Sequence, residues 1–222
     1  LPSPGDSRWA QFRKDMVSDL VRDIFTAMKA VKPNVKFSAA VFASPETAPQ
    51  WQLQDWPAWV KNGWLDFPAT MAYRQDLTSF KAWVSQEIKA EDCLMPLYVG
   101  IGVYLPLSES QLQDQLNAVN VTSADGVVFF SGQWLLGSPA HLNVIKGFSF
   151  GSLNMTLRVL NINITKGENV TVSGSINSHL KDINVTFAYR RPDGSLVERT
   201  APTNSCGKAV DIYQPDAVGT WN

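Results

Sequence analysis

The sequence lacks the marks of several protein classes. No block of lysine or arginine occurs among its 19 basic residues and the formal net charge is −1, so we expect no nucleic-acid partner. No apolar run approaches the roughly 20 residues that cross a bilayer, so no membrane span is expected in this segment. His141 and His179 have no Cys, Asp or Glu at ligand spacing, which predicts surface histidines and no metal site. The absence of a glycine-rich phosphate loop predicts no cofactor.

The start of the chain also lacks a familiar signal. The first residue is Leu1, and no signal peptide is visible, so we expect a processed chain or a piece of a longer one. A hydrophobic content of 45% in 222 residues is enough for one large domain or two small ones with their own cores.

Two features that are present indicate secretion. Asn-x-Thr sequons for N-linked glycans occur at Asn120, Asn154, Asn163, Asn169 and Asn184. Chance in a chain rich in Asn and Thr is the alternative, but five sequons favour glycosylation. Cys93 and Cys206 are the only cysteines, and they form either a bridge between the two regions in an oxidising compartment or two buried free thiols. We expect an extracellular or cell-surface protein.

Most of the chain alternates helices with buried strands. Apolar residues spaced by three or four predict a helix over residues 8–31, capped by Asp6 or Ser7 and stopped by Pro33. The predicted strands cover residues 35–43, 65–73, 95–104 and 125–131, and the later helices cover 54–62, 78–90 and 108–119. Gly63 is expected just past the second helix, and Ser108 with Gln111 should form a capping box. This alternation predicts βα units around a parallel sheet.

The pattern of apolar and polar residues changes after about residue 150. Residues 153–164, 169–176, 183–190 and 195–200 alternate apolar with polar side chains, which predicts antiparallel strands. Pro192-Asp193-Gly194 predicts a hairpin turn, because proline sets φ and glycine supplies a positive φ. We therefore expect a (β/α) barrel portion over residues 1–147 and an immunoglobulin-like β-sandwich, C-terminally incomplete, over residues 151–222. Four βα units also fall short of an eight-stranded barrel.

The stretches AVKPNVKFSAAVF and QDWPAWVKNGWLDFPATMAY resemble the glycosyl-hydrolase-like 10 family. The matching motif residues are Lys32, Pro33, Trp56, Trp59, Gly63, Trp64, Asp66, Phe67, Met71 and Tyr73. YVGIGVY and DGVVFFS resemble the family's seventh and eighth strands. The resemblance implies that this is the second half of a (β/α)₈ TIM-type barrel of a glycoside hydrolase. The family's strand-four motif, with a catalytic acid, has no counterpart here and would lie upstream of Leu1.

Two carboxylates lie just past predicted strand ends, where such barrels carry their active sites. Glycoside cleavage requires two carboxyl groups, so Glu46 and Asp76 are the candidate catalytic residues, one of them partnered by an upstream carboxylate. Two solvated loop acids are the alternative. Asp66 lies at the start of its strand and is expected to be structural, binding backbone or capping a turn.

Aromatic side chains near the same edge suit sugar rings, whose C–H faces stack on flat side chains. The candidate substrate-binding residues are Trp51, Tyr73, Arg74, Tyr104 and Trp134. Core packing is the alternative for the aromatics. Arg74 either holds a carboxylate-bearing or hydroxyl-rich sugar or pairs with Asp76. Packing is expected for the other tryptophans of this region: Trp9, Trp56, Trp59, Trp64 and Trp83.

Two functions from different classes fit these observations. The first is an extracellular carbohydrate-active protein, glycoside hydrolase-like, that acts on or binds a polysaccharide or glycan strand. The second is a non-catalytic structural glycoprotein of a cell envelope or extracellular filament. In that case neighbouring copies or envelope proteins would pair with an open edge of the sandwich.

Overall fold

The computed structural model describes residue 3 and residues 6–149, 155–160, 163–176 and 181–221. The chain forms two compact units, Leu1–Gly151 and Ser152–Asn222. The predicted domain boundary, between residues 147 and 151, includes residues 150 and 151, and residues 150–154 lie outside the described ranges. Among the described helices, none combines the length and the apolar character that crossing a bilayer requires.

The first helix, α1, spans Ser7–Val31, in agreement with the periodicity of the sequence. Asp6 caps it, because its carboxylate accepts a hydrogen bond from the backbone N–H of Arg8 at 2.9 Å. The helix ends at Val31, just before Pro33.

The face of α1 that packs on the first unit is not its most regular apolar stripe. Val17 and Val21 pack against the core of the first unit, and the indole Nε1 of Trp59 donates to the Ser18 hydroxyl at 2.8 Å. The most regular apolar stripe of the helix is exposed instead: Phe12, Met16, Leu20 and Ile24. Periodicity therefore located the helix but did not identify the face that packs on this unit.

Four parallel strands and their connecting helices come next in the chain. The strands are β1 (Ser38–Phe42), β2 (Phe67–Met71), β3 (Tyr98–Gly102) and β4 (Gly126–Phe130). The helices between them are α2 (Trp56–Lys61), α3 (Leu77–Glu91) and α4 (Glu109–Asn120). The strands pair in the order β1-β2-β3-β4, all parallel, as part of a (β/α)₈ barrel would require. Each of these elements was predicted, and each strand is shorter than its apolar run.

The sheet has one face toward the helices and one face away from them. The Thr70 hydroxyl donates to Glu87 Oε2 on α3 at 2.7 Å, so Pro68 and Thr70 of β2 face the helical layer. Because side chains alternate along a strand, Phe67 and Met71 point to the opposite face.

Helix caps and packing hold the layers together. Ser108 and Gln111 form the expected capping box at the start of α4, and Gly63 follows α2 at φ +66°. Trp56 and Trp59 are almost fully buried under β1, which confirms their packing role. A second buried cluster joins α3 and α4 to the sheet through Phe80, Val84, Val99, Ile101, Leu112 and Leu116.

Three short elements were not predicted. A π-helical turn, Ala48–Gln52, follows β1, and helices α5 (Gly132–Leu136) and α6 (Pro139–Gly147) follow β4. A helix of five residues is too short to show periodicity. Helix α6 has the features of a helix N-terminus: Pro139 lies in its first turn, and the Ser138 hydroxyl accepts from the His141 N–H at 3.4 Å.

The expectation that His141 lies at the surface was wrong. Its side chain is buried, with 9% of the residue exposed. Its Nε2 lies 2.9 Å from the carbonyl oxygen of Leu107 and donates to it, because a carbonyl oxygen only accepts. The second histidine, His179, lies outside the described residues.

The second unit is antiparallel. Strands β5 (Met155–Leu160), β6 (Val170–Ile176) and β9 (Lys208–Tyr213) form one sheet, and β7 (Asn184–Arg190) and β8 (Leu196–Pro202) form a hairpin. The predicted turn is present at its tip, where Gly194 has φ +86° and its N–H donates to the Arg191 carbonyl at 2.9 Å.

Strand β9 was missed because its inward side is partly polar. Asp211 is buried there and accepts from the Tyr189 hydroxyl at 2.8 Å. Side chains of both sheets share one buried cluster: Val172, Val185, Phe187, Tyr189, Ala209 and Tyr213. An immunoglobulin-like topology for these sheets stays a prediction.

Candidate functional site

The site candidates gather at the carboxyl edge, by which we mean the edge of the parallel sheet where β1 to β4 end. Parallel pairing in register brings all four ends to this side. In (β/α) barrels this edge carries the active site, because the loops that extend from the strand ends can vary without disturbing the sheet.

Three aromatic rings form a cluster at this edge, called here the aromatic cluster: Tyr73, Tyr104 and Phe130. The ring centroids of Tyr73 and Phe130 are 5.6 Å apart and nearly parallel. Tyr104 meets both rings edge-on, at 5.8 Å from Tyr73 and 6.0 Å from Phe130. Tyr104 and Phe130 remain 39% and 54% exposed. The cluster is therefore packed internally and open to a ligand on its outer side.

Glycines in β3 make room for this cluster. A Cβ at Gly100 would collide with the Thr70 carbonyl oxygen, and a Cβ at Gly102 would lie 3.0 Å from Cβ of Tyr73. Tyr73 therefore packs directly on the backbone of β3, at two positions where that strand has no side chain. Burial, aided by the neighbouring Tyr104, raises the pKa of the Tyr73 hydroxyl, a group that is already neutral and able to donate at its ordinary pKa of 10.

A cavity of about 490 Å³ adjoins the aromatic cluster. Its lining comes from residues 103–107, which follow β3, and from Gln133, Trp134, Gly137, Ser138 and His141. Trp134 lies on α5 and is 58% exposed. No lining residue is Asp, Glu, Lys or Arg.

Side-chain anchors hold the loops of this edge. Gln75 Nε2 donates to the Pro106 carbonyl at 2.9 Å, and His141 holds the next carbonyl, that of Leu107. Gln115 Nε2 donates to the Arg74 carbonyl at 2.6 Å. Because each bond joins different elements, the loop that carries Tyr104 is fixed from two sides.

The predicted catalytic carboxylates have separate surroundings. Asp76 caps α3: its Oδ2 accepts from the Ser79 N–H at 2.7 Å. Hydrogen bonds from Ser79 hold the pKa of Asp76 below its ordinary value, so the group is ionised. Glu46 is exposed in the turn after β1. Their catalytic role stays a prediction.

The remaining predicted binding residues lie around the same edge but not in one group. The guanidinium carbon of Arg74 lies 3.7 Å from the centroid of the Trp83 ring on α3, as in a cation–π contact. Trp51, in the π-helical turn after β1, is 77% exposed. Of the predicted binding residues, Tyr73 and Tyr104 are in contact in the aromatic cluster, and Tyr104 and Trp134 line the adjoining cavity.

The family comparison agrees with this geometry. The family model described as Glycosyl hydrolase-like 10 matches residues 1–120, more than half of the chain. The chain belongs to the glycosyl hydrolase-like 10 family. No curated protein and no solved structure matches it.

The glycosyl hydrolase-like 10 match covers β1 to β3 and ends with α4, so Phe130 and Trp134 lie beyond it. Sequence reasoning missed Phe130, although alternation from Val128 places it on the same face. It also missed His141, whose buried carbonyl partner is 34 residues away and leaves no local signal.

Among the described residues of this glycosyl hydrolase-like 10 chain, no cluster of three or more His, Cys, Asp or Glu could hold a metal ion. Cys93 and Cys206 are both disulfide-bonded, and neither is a free thiol. Three sequon asparagines, Asn163, Asn169 and Asn184, are exposed, and Asn120 is partly buried at the end of α4. Asn154 lies outside the described residues.

Proposed function

We propose that this chain is the glycosyl hydrolase-like part of an extracellular carbohydrate-active protein that binds a polysaccharide or glycan strand at its carboxyl edge. The observation that carries the proposal is the aromatic cluster, with its partly open rings of Tyr104 and Phe130, beside an uncharged cavity. The carboxyl edge is where (β/α) barrels carry their active sites, and exposed aromatic surface at this edge indicates a ligand with apolar faces.

Pyranose rings have that chemistry. Their C–H faces pack on flat side chains, and their hydroxyls bond to neutral donors and acceptors. The Tyr73 hydroxyl is protonated at neutral pH, and burial raises its pKa further, so it can donate to a sugar oxygen as well as accept. Membership of the glycosyl hydrolase-like 10 family makes a glycan the natural ligand.

An extracellular location has independent support. Both cysteines are oxidised, which is typical of proteins outside the reducing cytosol. The exposed sequons at Asn163, Asn169 and Asn184 suit a secreted glycoprotein.

Binding to soluble polysaccharides tests the proposal. We expect Phe130→Ala to weaken affinity at least fivefold in affinity electrophoresis or calorimetry, because it removes a ring that is 54% exposed in the aromatic cluster. Leu94→Ala is the matched control: Leu94 is 56% exposed but precedes β3, at the opposite edge of the sheet. Equal affinities of F130A and L94A, or no binding to any polysaccharide of a broad panel, would refute the proposal.

The second candidate is a non-catalytic structural glycoprotein. It is favoured by the engagement of Asp76 as a helix cap and by the lack of a carboxylate in the cavity lining. Strand edges of the second unit would then pair with neighbouring copies or envelope proteins.

Hydrolysis separates the two candidates. If the chain is an enzyme, the wild-type chain cleaves a polysaccharide, and either Glu46→Gln or Asp76→Asn reduces cleavage at least 100-fold. Binding without cleavage, with both amide variants indistinguishable from wild type, supports the structural role. Cleavage that both variants retain would remove Glu46 and Asp76 as catalytic candidates.

A further inference from the structure

We infer that the cavity beside Trp134 is a binding subsite for an uncharged sugar ring, next to the aromatic cluster and sharing Tyr104 with it. This inference rests on the proposed function and narrows its ligand to a glycan that is neutral at this position. The cavity, at about 490 Å³, lies within the roughly 300–1,000 Å³ range of small-molecule sites.

The subsite is preformed. One wall is the loop of residues 103–107, whose carbonyls at Pro106 and Leu107 accept hydrogen bonds from Gln75 and His141, each at 2.9 Å. His141 comes from α6, so its bond joins the two sides of the cavity. A wall held in this way needs little ordering when a ligand arrives, which favours binding.

Aromatic surface is offered to the ligand from two elements. Trp134 on α5 is 58% exposed, and Tyr104 on the loop after β3 is 39% exposed. Aromatic side chains of this size are normally buried, so open rings that line a cavity point to an apolar ligand face. A pyranose has such a face on each side of the ring.

The polar groups of the lining are neutral. Gln133 contributes an amide that can both donate and accept, and no hydrogen bond to that amide is found within the described part of the chain. Ser138 contributes a hydroxyl. Hydroxyl and acetamido groups of a sugar match these partners.

The absence of formal charge in the lining sets the specificity. A uronate or a phosphorylated sugar would lose water around its anion in the cavity without meeting Lys or Arg. The one cation among the candidate binding residues, Arg74, stacks on the Trp83 ring at 3.7 Å. Neutral rings are therefore selected over anionic rings.

Calorimetry of the 222-residue chain with matched tetrasaccharides tests the inference. Cellotetraose and tetra-N-acetylchitotetraose are the neutral probes, and tetragalacturonate is the charged one. We expect at least one neutral probe to bind ten times more tightly than tetragalacturonate. Trp134→Ala should reduce the affinity for the neutral probe at least tenfold, and Trp134→Phe should keep part of that affinity.

Leu136→Ala is the control for folding and for helix α5. Leu136 lies on the same five-residue helix and is 75% exposed, but it does not line the cavity. We expect L136A to bind within twofold of wild type. Gln133→Lys adds a cation to the lining and should improve tetragalacturonate binding at least threefold, a gain that misfolding does not produce.

The outcomes separate this inference from the proposed function. If F130A weakens binding while W134A matches L136A, carbohydrate binding stands and the subsite is refuted. Equal affinity of wild type for neutral and charged probes refutes the selection for neutral rings. If no tetrasaccharide and no polysaccharide binds, the proposed function fails and the subsite with it.

Discussion

Glu87 is a carboxylic acid enclosed between the sheet and helix α3. The residue has no exposed surface, and its Oε2 accepts from the Thr70 hydroxyl. Its Oε1 lacks a partner within the described part of the chain. Burial, only partly offset by the Thr70 bond, raises the pKa of Glu87 to about 8, so the group is largely protonated at neutral pH.

This burial makes stability depend on pH. In the unfolded chain Glu87 ionises near its ordinary pKa of 4.5, whereas in the folded chain it ionises near 8. Between these values the unfolded state binds fewer protons, so the free energy of unfolding should fall by up to about 1.4 kcal/mol per pH unit and level off above pH 8. Urea unfolding of wild type and Glu87→Gln from pH 5 to 8 measures this.

The Gln variant cannot ionise, so its unfolding free energy should change less with pH than that of wild type across this window. Glu109→Gln, at an exposed position at the start of α4, serves as the control and should keep the wild-type slope. Parallel pH profiles for wild type and E87Q would show that Glu87 ionises without cost in the folded protein.

At the scale of the elements, the same contact is built twice at the starts of the strands. Phe37, just before β1, donates its N–H to Asp66 Oδ2 at 2.6 Å and accepts from the Asp66 N–H at 2.8 Å. Leu97 and Asp125, before β3 and β4, repeat the arrangement at 2.9 Å in both bonds. An aspartate before β2 or β4 thus binds the residue that leads into the preceding strand, and it fixes the register of each pair.

Asp66 also binds the ammonium group of Lys29 on α1, with Nζ 2.7 Å from Oδ2. Burial alone would raise the pKa of Asp66, but the bonds from Lys29 and Phe37 outweigh burial and lower it. The prediction that Asp66 is structural and binds backbone is therefore confirmed.

Removing this carboxylate should loosen the junction of α1, β1 and β2. We expect Asp66→Ala to reduce the free energy of unfolding by roughly 1–3 kcal/mol, because a partly buried amide and an ammonium lose their acceptor. Asp23→Ala breaks an ion pair of the same helix at a side chain that is 67% exposed, and it should change stability little. Equal losses in the two variants, measured by urea unfolding, would contradict a special role for Asp66.

The elements also differ in how far local sequence could predict them. Helix α4 and its capping box were readable, because Ser108 and Gln111 bond within one turn. Helix α5, with five residues, has no local signal and is set by its packing against β4 and α6. Trp134 of the candidate subsite lies on that helix. The residue could therefore be named from the sequence, but its cavity could not.

At the scale of the whole molecule, the two units differ in sheet type, in coverage by the family match and in sequons. The first unit contains the parallel sheet and the family match over residues 1–120. The second unit contains antiparallel sheets and three exposed sequons that are described: Asn163, Asn169 and Asn184.

The sequons should be used selectively. Expressed through a secretory pathway that glycosylates, the chain should bear glycans at Asn163, Asn169 and Asn184. Asn120 should stay bare, because it ends α4 partly buried and the hydroxyl of Thr122 donates to the Val119 carbonyl at 2.6 Å. Peptide mapping after enzymatic deglycosylation in ¹⁸O water identifies the modified sites. A glycan at Asn120, or none at the three exposed sites, would overturn this expectation.

The sequence by itself determined the parallel βα order, the hairpin turn at Gly194, the cap of α4 and the family, because these depend on neighbours along the chain and on periodicity. Only the tertiary structure decided which apolar faces are buried, that His141 holds Leu107, and that Phe130 joins Tyr73 and Tyr104 in one cluster. Those facts depend on residues far apart in the chain, which strand pairing brings within contact distance. The candidate site belongs to this second kind: its residue types could be listed beforehand, but the fold was needed to show that Tyr104 and Trp134 line one neutral cavity.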